Sequence, residues 1–353
     1  MMKIRYSFIK KTVDDLYIDL NLGEYPIEIK SLINSISSYK IRVVSYSSHI
    51  AKHSLSEDEV ISHFGSEEGC TIYNVKKDRY LIFYNDLDGY YKVEGRIRWT
   101  LSHELGHILL SHHKLSKNTK LFRNNLSDAE YDWMEKEANR FASILLSNPV
   151  ILYKLNIKDT KDIQNICAIS NEASNYRYSD YLKWCKNKYI GNHDKIILDN
   201  FYKFIYKKRC LVCGYGFVSK ATIFCPICGN KKISWGDGNM EYNSYELDSK
   251  GRALECPKCE NKQMTKDGTY CRICGTYLIN KCTNNGTLEA NDYGNSKKVK
   301  NICGMIAEGN SRYCEYCGAP TTFYVQELLE DYTKIPNAEK EIASSIDDDD
   351  MPF

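Results

Sequence analysis

The eleven residues His103–His113, HELGHILLSHH, constrain this chain more than any other stretch. His103 and His107 are four residues apart, so on a helix they share one face, about 6 Å apart along the axis. Both imidazoles can then point at one ion, and Glu104, rotated by one position, reaches a water beside it. A zinc ion lowers the pKa of such a water and the carboxylate takes its proton, a combination that hydrolyses amides. The flanks of WTLSHELGHILL are apolar, which suits a buried active-site helix, expected over about 98–112.

A catalytic zinc normally takes three protein ligands and keeps a fourth position for water. His113 stands at the spacing that metzincins use, H-E-x-x-H-x-x-G-x-x-H. Their glycine breaks the helix and swings the last histidine back to the metal. Here that position is Leu110, which continues the helix. On a continued helix His113 lies about 9 Å along the axis from His107 and is rotated away. His112 and His113 are therefore expected to face solvent at the helix C-terminus, where the dipole favours positive charge.

The other source of a third ligand is a glutamate from a second helix, expected over about 128–146 and stopped by Asn148-Pro149. Within DWMEKEANRFASILLSNP, Glu135 and Asn139 share a face with Ala142. Small Ala138 and Ala142 would let this helix pack closely on the first. Glu137 points about 200° away from Glu135, so only one of the two can be the ligand.

Around these helices the pattern is mixed. Residues 25–38 carry apolar positions at helical spacing, with Pro26 near the start. IRVVSY (41–46) and RYLIFYN (79–85) are rich in β-branched and aromatic residues and are expected to be strands. DLDG (86–89) is a turn signal, and residues 155–190 look helical. The 353 residues carry 48 basic and 46 acidic side chains, so no global charge argument for nucleic acid or an anionic membrane follows. No apolar run approaches the ~18 residues of a membrane span. The start, MMKIRYSFIKKTVDDLY, has no continuous apolar core and is not a secretory signal, so a cytoplasmic protein is expected.

The run RWTLSHELGHILL, followed by E-x-E-A-N-x-F-A-x-x-L-L-x-x-P, resembles the ImmA/IrrE family of zinc metallopeptidases. YLIFYND before the first helix and ICAISNEASNYRYSDYLKW after the second also fit. The resemblance covers roughly residues 15–190, and SNP before Pro149 departs slightly from its last motif. It implies an α+β fold with a small sheet and a gluzincin-like site. His103, His107 and Glu135 would hold the catalytic zinc, Glu104 would be the base, and Asn139 would orient a histidine. Family members of known role cleave a helix-turn-helix repressor, so the implied substrate is a protein.

Fifteen cysteines distribute unevenly. Cys70, Cys167 and Cys185 are isolated and are expected to be ordinary semi-buried residues. The other twelve lie between 210 and 317, mostly as C-x-x-C pairs, which in a chain without an export signal indicates zinc. Cys210, Cys213, Cys225 and Cys228 repeat at the spacing of Cys256, Cys259, Cys271 and Cys274. Cys282, Cys303, Cys314 and Cys317 form a looser third set. Each set suits a closed tetrahedral Zn²⁺, and ribbons of this size need the metal to fold. Glycines after Cys213, Cys228, Cys274, Cys303 and Cys317 let the backbone curl round each sulfur. Such ribbons either hold a shape or recognise protein or nucleic acid. Scattered lysines and interspersed aromatics leave both open.

Asp347, Asp348, Asp349, Asp350, Met351, Pro352 and Phe353 close the chain. The plain interpretation is a disordered acidic terminus. The residues also resemble the tip of bacterial single-stranded-DNA-binding proteins, which docks on repair and replication proteins.

The expected organisation is thus a metallopeptidase domain at 1–195, zinc ribbons at 205–235, 250–280 and 281–325, and an acidic tail at 326–353. The expected activity is zinc-dependent endoproteolysis, with one catalytic and about three structural Zn²⁺. The expected partners are a protein substrate, proteins that recognise the tail, and nucleic acid through the ribbons, with no membrane. The rival from another class is a non-catalytic zinc-ribbon adaptor that binds nucleic acid or replication and repair proteins.

Overall fold

The computed structural model describes residues 3–116, 127–265, 267–284, 287–290, 297–300 and 302–334. Residues 287–290 and 297–300, and Tyr90, are described by their backbone alone. Two compact units result, one up to Ile205 and one from Tyr206.

The first unit is built round a three-stranded sheet. Strands β1 (Ile41–Ser45), β2 (Gly69–Asn74) and β3 (Arg79–Tyr84) stand in the order β1-β3-β2. β1 runs parallel to β3 with Ile41 opposite Tyr80, and β2 runs antiparallel to it with Gly69 opposite Tyr84. β3 is therefore central, and its residues 82–84 are all buried, as befits a strand covered on both faces. β2 is not signalled by composition: GCTIYN opens on glycine and ends on asparagine, both poor strand formers.

Helix α1 (Tyr6–Asp19) buries Ile9, Val13, Leu16 and Tyr17, the spacing of one helix face. Helix α2 spans Ile29–Ser35, shorter than the expected 25–38 and beginning beyond Pro26. α3 (Tyr46–His53) and α4 (Glu57–Phe64) cover one end of the sheet through Tyr46, Val60, Phe64 and Phe83. Ser56 and Glu59 form a capping box at the start of α4.

Helix α5 (Glu94–Leu109) carries the histidines, and it begins and ends earlier than the expected 98–112. Leu110 follows it, Ser111 takes a left-handed φ of 60°, and a short α6 (His112–Ser116) turns away. Leu110 therefore does not continue the helix, and the chain bends one residue later, at a serine rather than a glycine. Helix α7 (Asp128–Leu146) has the expected span and opens with a Ser127–Glu130 capping box. α5 and α7 approach closely at Gly106, where an added Cβ would stand 3.0 Å from Phe141 Cδ1 and 3.3 Å from Ala138 Cα. α8 (Pro149–Lys154), α9 (Thr160–Cys167), α10 (Asn171–Lys186), α11 (Asn192–Asn200) and a short α12 (Tyr202–Tyr206) follow. Fully buried Phe201 packs on the rings of Tyr17 and Tyr25 and ties the segment beyond residue 195 into the unit. No helix among the described residues is long and apolar enough to cross a membrane.

The second unit has little regular structure. Strand β4 (Lys207–Cys210) pairs antiparallel with both β5 (Gly216–Val218) and β6 (Ile233–Trp235). A hairpin of β7 (Thr287–Ala290) and β8 (Lys297–Lys300) is inserted between Cys282 and Cys303. That insertion is why the third cysteine set looks stretched in sequence. The five glycines that follow Cys213, Cys228, Cys274, Cys303 and Cys317 all have positive φ, between 58° and 75°. Glu260, after Cys259, takes the same conformation at φ 56° without being glycine.

The three cysteine sets are not beads on a string. The amides of Ile223 and Phe224 donate to the carbonyl of Glu315, and those of Arg312 and Tyr313 donate to the carbonyl of Pro226. The knuckles of the first and third sets thus clasp each other reciprocally. The second and third meet at buried Asn280, whose Nδ2 donates to the carbonyls of Glu308 at 2.7 Å and Ser311 at 3.1 Å. A buried amide satisfied this way fixes one arrangement.

Candidate functional site

Three side chains from α5 and α7 converge. His103 Nε2 and His107 Nε2 lie 3.0 Å apart. Glu135 places Oε2 3.2 Å from His103 Nε2 and Oε1 3.5 Å from His107 Nε2. With ligand bonds near 2.0–2.1 Å, two vertices of a tetrahedron round Zn²⁺ stand about 3.3 Å apart. The three separations bracket that value, and the donors are two imidazoles and one carboxylate, so the residues fit a zinc ion. Burial works against the charge on Glu135, but its contacts with His103 and His107 dominate and hold its carboxyl far below the usual range. Burial also pulls His103 down, and the Glu135 contact and the Glu104 charge reverse this, so its pKa ends raised. Two histidines and a carboxylate that converge this way are a donor set to which a divalent cation could bind in place of a proton.

Each of the two histidines is held from behind. His103 Nδ1 stands 3.0 Å from Asn139 Oδ1, one helical turn past Glu135. His107 Nδ1 stands 3.0 Å from His112 Nδ1, and His112 Nε2 lies 3.1 Å from Glu137 Oε2. Glu137 is fully buried and receives the backbone N–H of Arg5 at 2.7 Å together with its Nε and Nη2. The guanidinium also donates to the Leu110 carbonyl at 3.1 Å, across the bend that ends α5.

His112 and His113 are therefore not solvent-facing. They are 0% and 3% exposed. The bend at Ser111 folds them inward, His112 under His107 and His113 against the ring of Tyr80. Burial and the nearby His107 and Arg5 push the pKa of His112 down to about 2, so it is a neutral hydrogen-bonding link. His113 takes no part in the converging group of His103, His107 and Glu135.

Glu104 is 8% exposed, and its Oε2 accepts a 2.7 Å hydrogen bond from Thr71 Oγ1 on β2. This hydroxyl fixes the carboxylate beside the histidines. Thr71, His103, Glu104, His107, Glu135 and Asn139 line one cavity of about 1290 Å³ walled by β2, α5, α7 and α10, and Arg5, His112 and Glu137 are not part of its lining. Thr71, His112, Glu137 and Arg5 escape a motif search, because no spacing rule joins them to α5. The only trace is the helical spacing of Ile9, Val13, Leu16 and Tyr17, which marks α1 as packed and so places Arg5 beside it.

The twelve clustered cysteines gather into three groups of four: Cys210, Cys213, Cys225 and Cys228; Cys256, Cys259, Cys271 and Cys274; Cys282, Cys303, Cys314 and Cys317. Within them Cys210–Cys228 and Cys213–Cys225 sulfurs stand 3.5 and 3.6 Å apart. Cys282–Cys317 and Cys303–Cys314 stand at 3.4 and 3.6 Å. Disulfides would need about 2.05 Å, whereas tetrahedral Zn–S bonds of about 2.3 Å put sulfurs about 3.8 Å apart. The donor sets fit zinc. Cys70, Cys167 and Cys185 belong to none of these groups, and none of the three is in a disulfide. Asp347–Phe353 lie outside the described residues.

Residues 57–165 match the family model described as the IrrE N-terminal-like domain. The match spans β2, β3, α5 and α7, and so includes His103, Glu104, His107, Glu135 and Asn139. It supports a zinc metallopeptidase of the ImmA/IrrE type. No curated protein matches the chain at a significant level.

Proposed function

We propose that the protein is a zinc endopeptidase in which His103, His107 and Glu135 hold the metal and Glu104 is the general base. The observation that carries this is the convergence of those three side chains beside a carboxylate pinned by Thr71. A zinc ion bound there would polarise the scissile carbonyl and acidify a water. Glu104 takes the proton from the attacking water and returns it to the departing amide nitrogen. Thr71 keeps the carboxylate turned towards the histidines. Asn139 and His112 accept from the Nδ1 sides of His103 and His107, which leaves both Nε2 lone pairs for the metal.

The substrate is a folded regulator's exposed segment, with a DNA-bound helix-turn-helix repressor as the best fit to the family resemblance. The cysteine sets and the acidic tip would direct the enzyme to partners in DNA metabolism, mobile-element control, damage response or phage defence. The test is capture: full-length Glu104→Gln retains its substrate in a pull-down, and adding wild type cleaves the captured protein. Capture of nothing that wild type cleaves contradicts the proposal.

The reciprocal clasp between the first and third cysteine sets favours a second reading, an adaptor whose rigid cysteine body binds protein or nucleic acid. If wild type and Glu104→Gln behave alike in cells, that reading stands instead.

A further inference from the structure

We infer that the metal-bearing cavity contains a carboxylate-recognition subsite formed by Arg177 and Arg140, which selects an acidic group on the peptide substrate. The inference rests on the peptidase reading for what the subsite is for, but not for its geometry. Arg177, on α10, lines the cavity and is only 3% exposed. Its Nε donates to the carbonyl of Ser147 at 2.8 Å, and its Nη2 has no hydrogen-bond partner among the described residues. A neutral carbonyl does not compensate a buried cation, and burying a charge without a counter-ion is costly. Burial, with the Arg140 charge beside it, pulls the Arg177 guanidinium down to about 10.

Arg140, on α7, lines the same cavity and adds a second positive charge. The carboxylate of Asp180, which lines the cavity with Glu172, is engaged by Arg140 Nη1 at 2.6 Å and by Lys183 Nζ at 3.3 Å. Asp180 is thus hydrogen-bonded to two other cations and makes no hydrogen bond to Arg177. An incoming carboxylate that reached Arg177 Nη2, which is itself closed to solvent, would supply the acceptor it lacks and offset the buried charge. Guanidinium is suited to this, since its planar donors match a carboxylate.

Position along α7 places the subsite relative to the metal group. Arg140 is five residues and Ser147 twelve residues past Glu135, or about 7.5 and 18 Å along the axis. An extended peptide advances about 3.3 Å per residue. The recognised carboxylate then lies about two to five residues from the scissile bond.

The probes are two synthetic decapeptide libraries, randomised throughout, one amidated and one with a free carboxyl terminus. Zinc-loaded full-length Glu104→Gln is used for capture and wild type for cleavage. We expect Asp or Glu to be enriched about tenfold among captured peptides, the size of a charge-assisted hydrogen bond. Enrichment in the amidated library assigns the carboxylate to a side chain, and enrichment confined to the free-carboxyl library assigns it to the chain end. Either preference should vanish when Arg177→Gln is added. No acidic preference, or a preference unchanged in a folded Arg177→Gln variant, overturns the subsite. If thermal melting shows that variant to be unfolded, half-buried Arg140→Gln replaces it under the same criterion. Cleavage without acidic preference sinks the subsite and spares the peptidase. Acid-selective capture without cleavage by wild type does the reverse.

Discussion

The Nδ1 atoms of His107 and His112 face each other at 3.0 Å. Only one of them can carry the proton. With burial keeping His112 neutral, its pKa near 2, its Nε2–H is directed at Glu137 and its Nδ1 accepts from His107. His107 then presents a bare Nε2 to the site. Replacing His112 by Ala should weaken zinc binding at this centre about 10–100-fold, the usual effect of losing an orienting partner. Competition with a chromophoric chelator measures it, and the cysteine sets, remote in sequence, should keep their metal. An unchanged affinity would show that His112 only packs.

Thr71 sets the direction of Glu104. Thr71→Val removes the 2.7 Å donor while keeping the shape of the side chain. The expected result is a fall in kcat of about tenfold with zinc content unchanged, because the base loses its orientation and the ligands do not. Thr71→Ser should restore most of the activity. A fall confined to KM would contradict this role.

Gly106 is the point where α5 and α7 nearly touch. A methyl group there meets Phe141 and Ala138 at 3.0 and 3.3 Å, and buried Ala138 cannot move aside. Gly106→Ala should destabilise the protein by about 1–3 kcal/mol, as overpacking does. It should also lower zinc affinity, since His103 and His107 sit on one helix and Glu135 on the other. Thermal melting with and without zinc separates the two effects.

The clasped knuckles predict that the cysteine sets share their fate. Cys303→Ser removes a donor of the third set, whose Glu315 carbonyl receives the amides of Ile223 and Phe224. Hydrogen exchange at Ile223 and Phe224 should accelerate along with that of the third set. Protection that stays intact at those two amides would make the sets independent.

What was legible in the sequence follows from range. The α5 and α7 helices, the close approach of Ala138 to α5, and two of the three strands of the first sheet rest on local spacing or composition, and the structure has them. The four cysteines of each set are likewise near in sequence or repeated. The inward turn of His112 and His113 was not legible, because it depends on a left-handed serine, a conformation that glycine usually marks. Nor was the role of Glu137. Its rotation away from Glu135 was readable, but its partner Arg5 lies 132 residues away in sequence. β2 was hidden by its glycine and asparagine, and Thr71 with it.

Metal analysis of full-length wild type, Glu104→Gln and Glu135→Gln tests the account most directly. Among the described residues four groups of donors are present, three of cysteine and one of His103, His107 and Glu135. Wild type and Glu104→Gln should bind the same number of zinc ions, and Glu135→Gln should bind about one fewer or hold that one far more weakly. A full complement bound equally tightly by Glu135→Gln, or a loss of zinc in Glu104→Gln, would contradict the assignment of ligand and base.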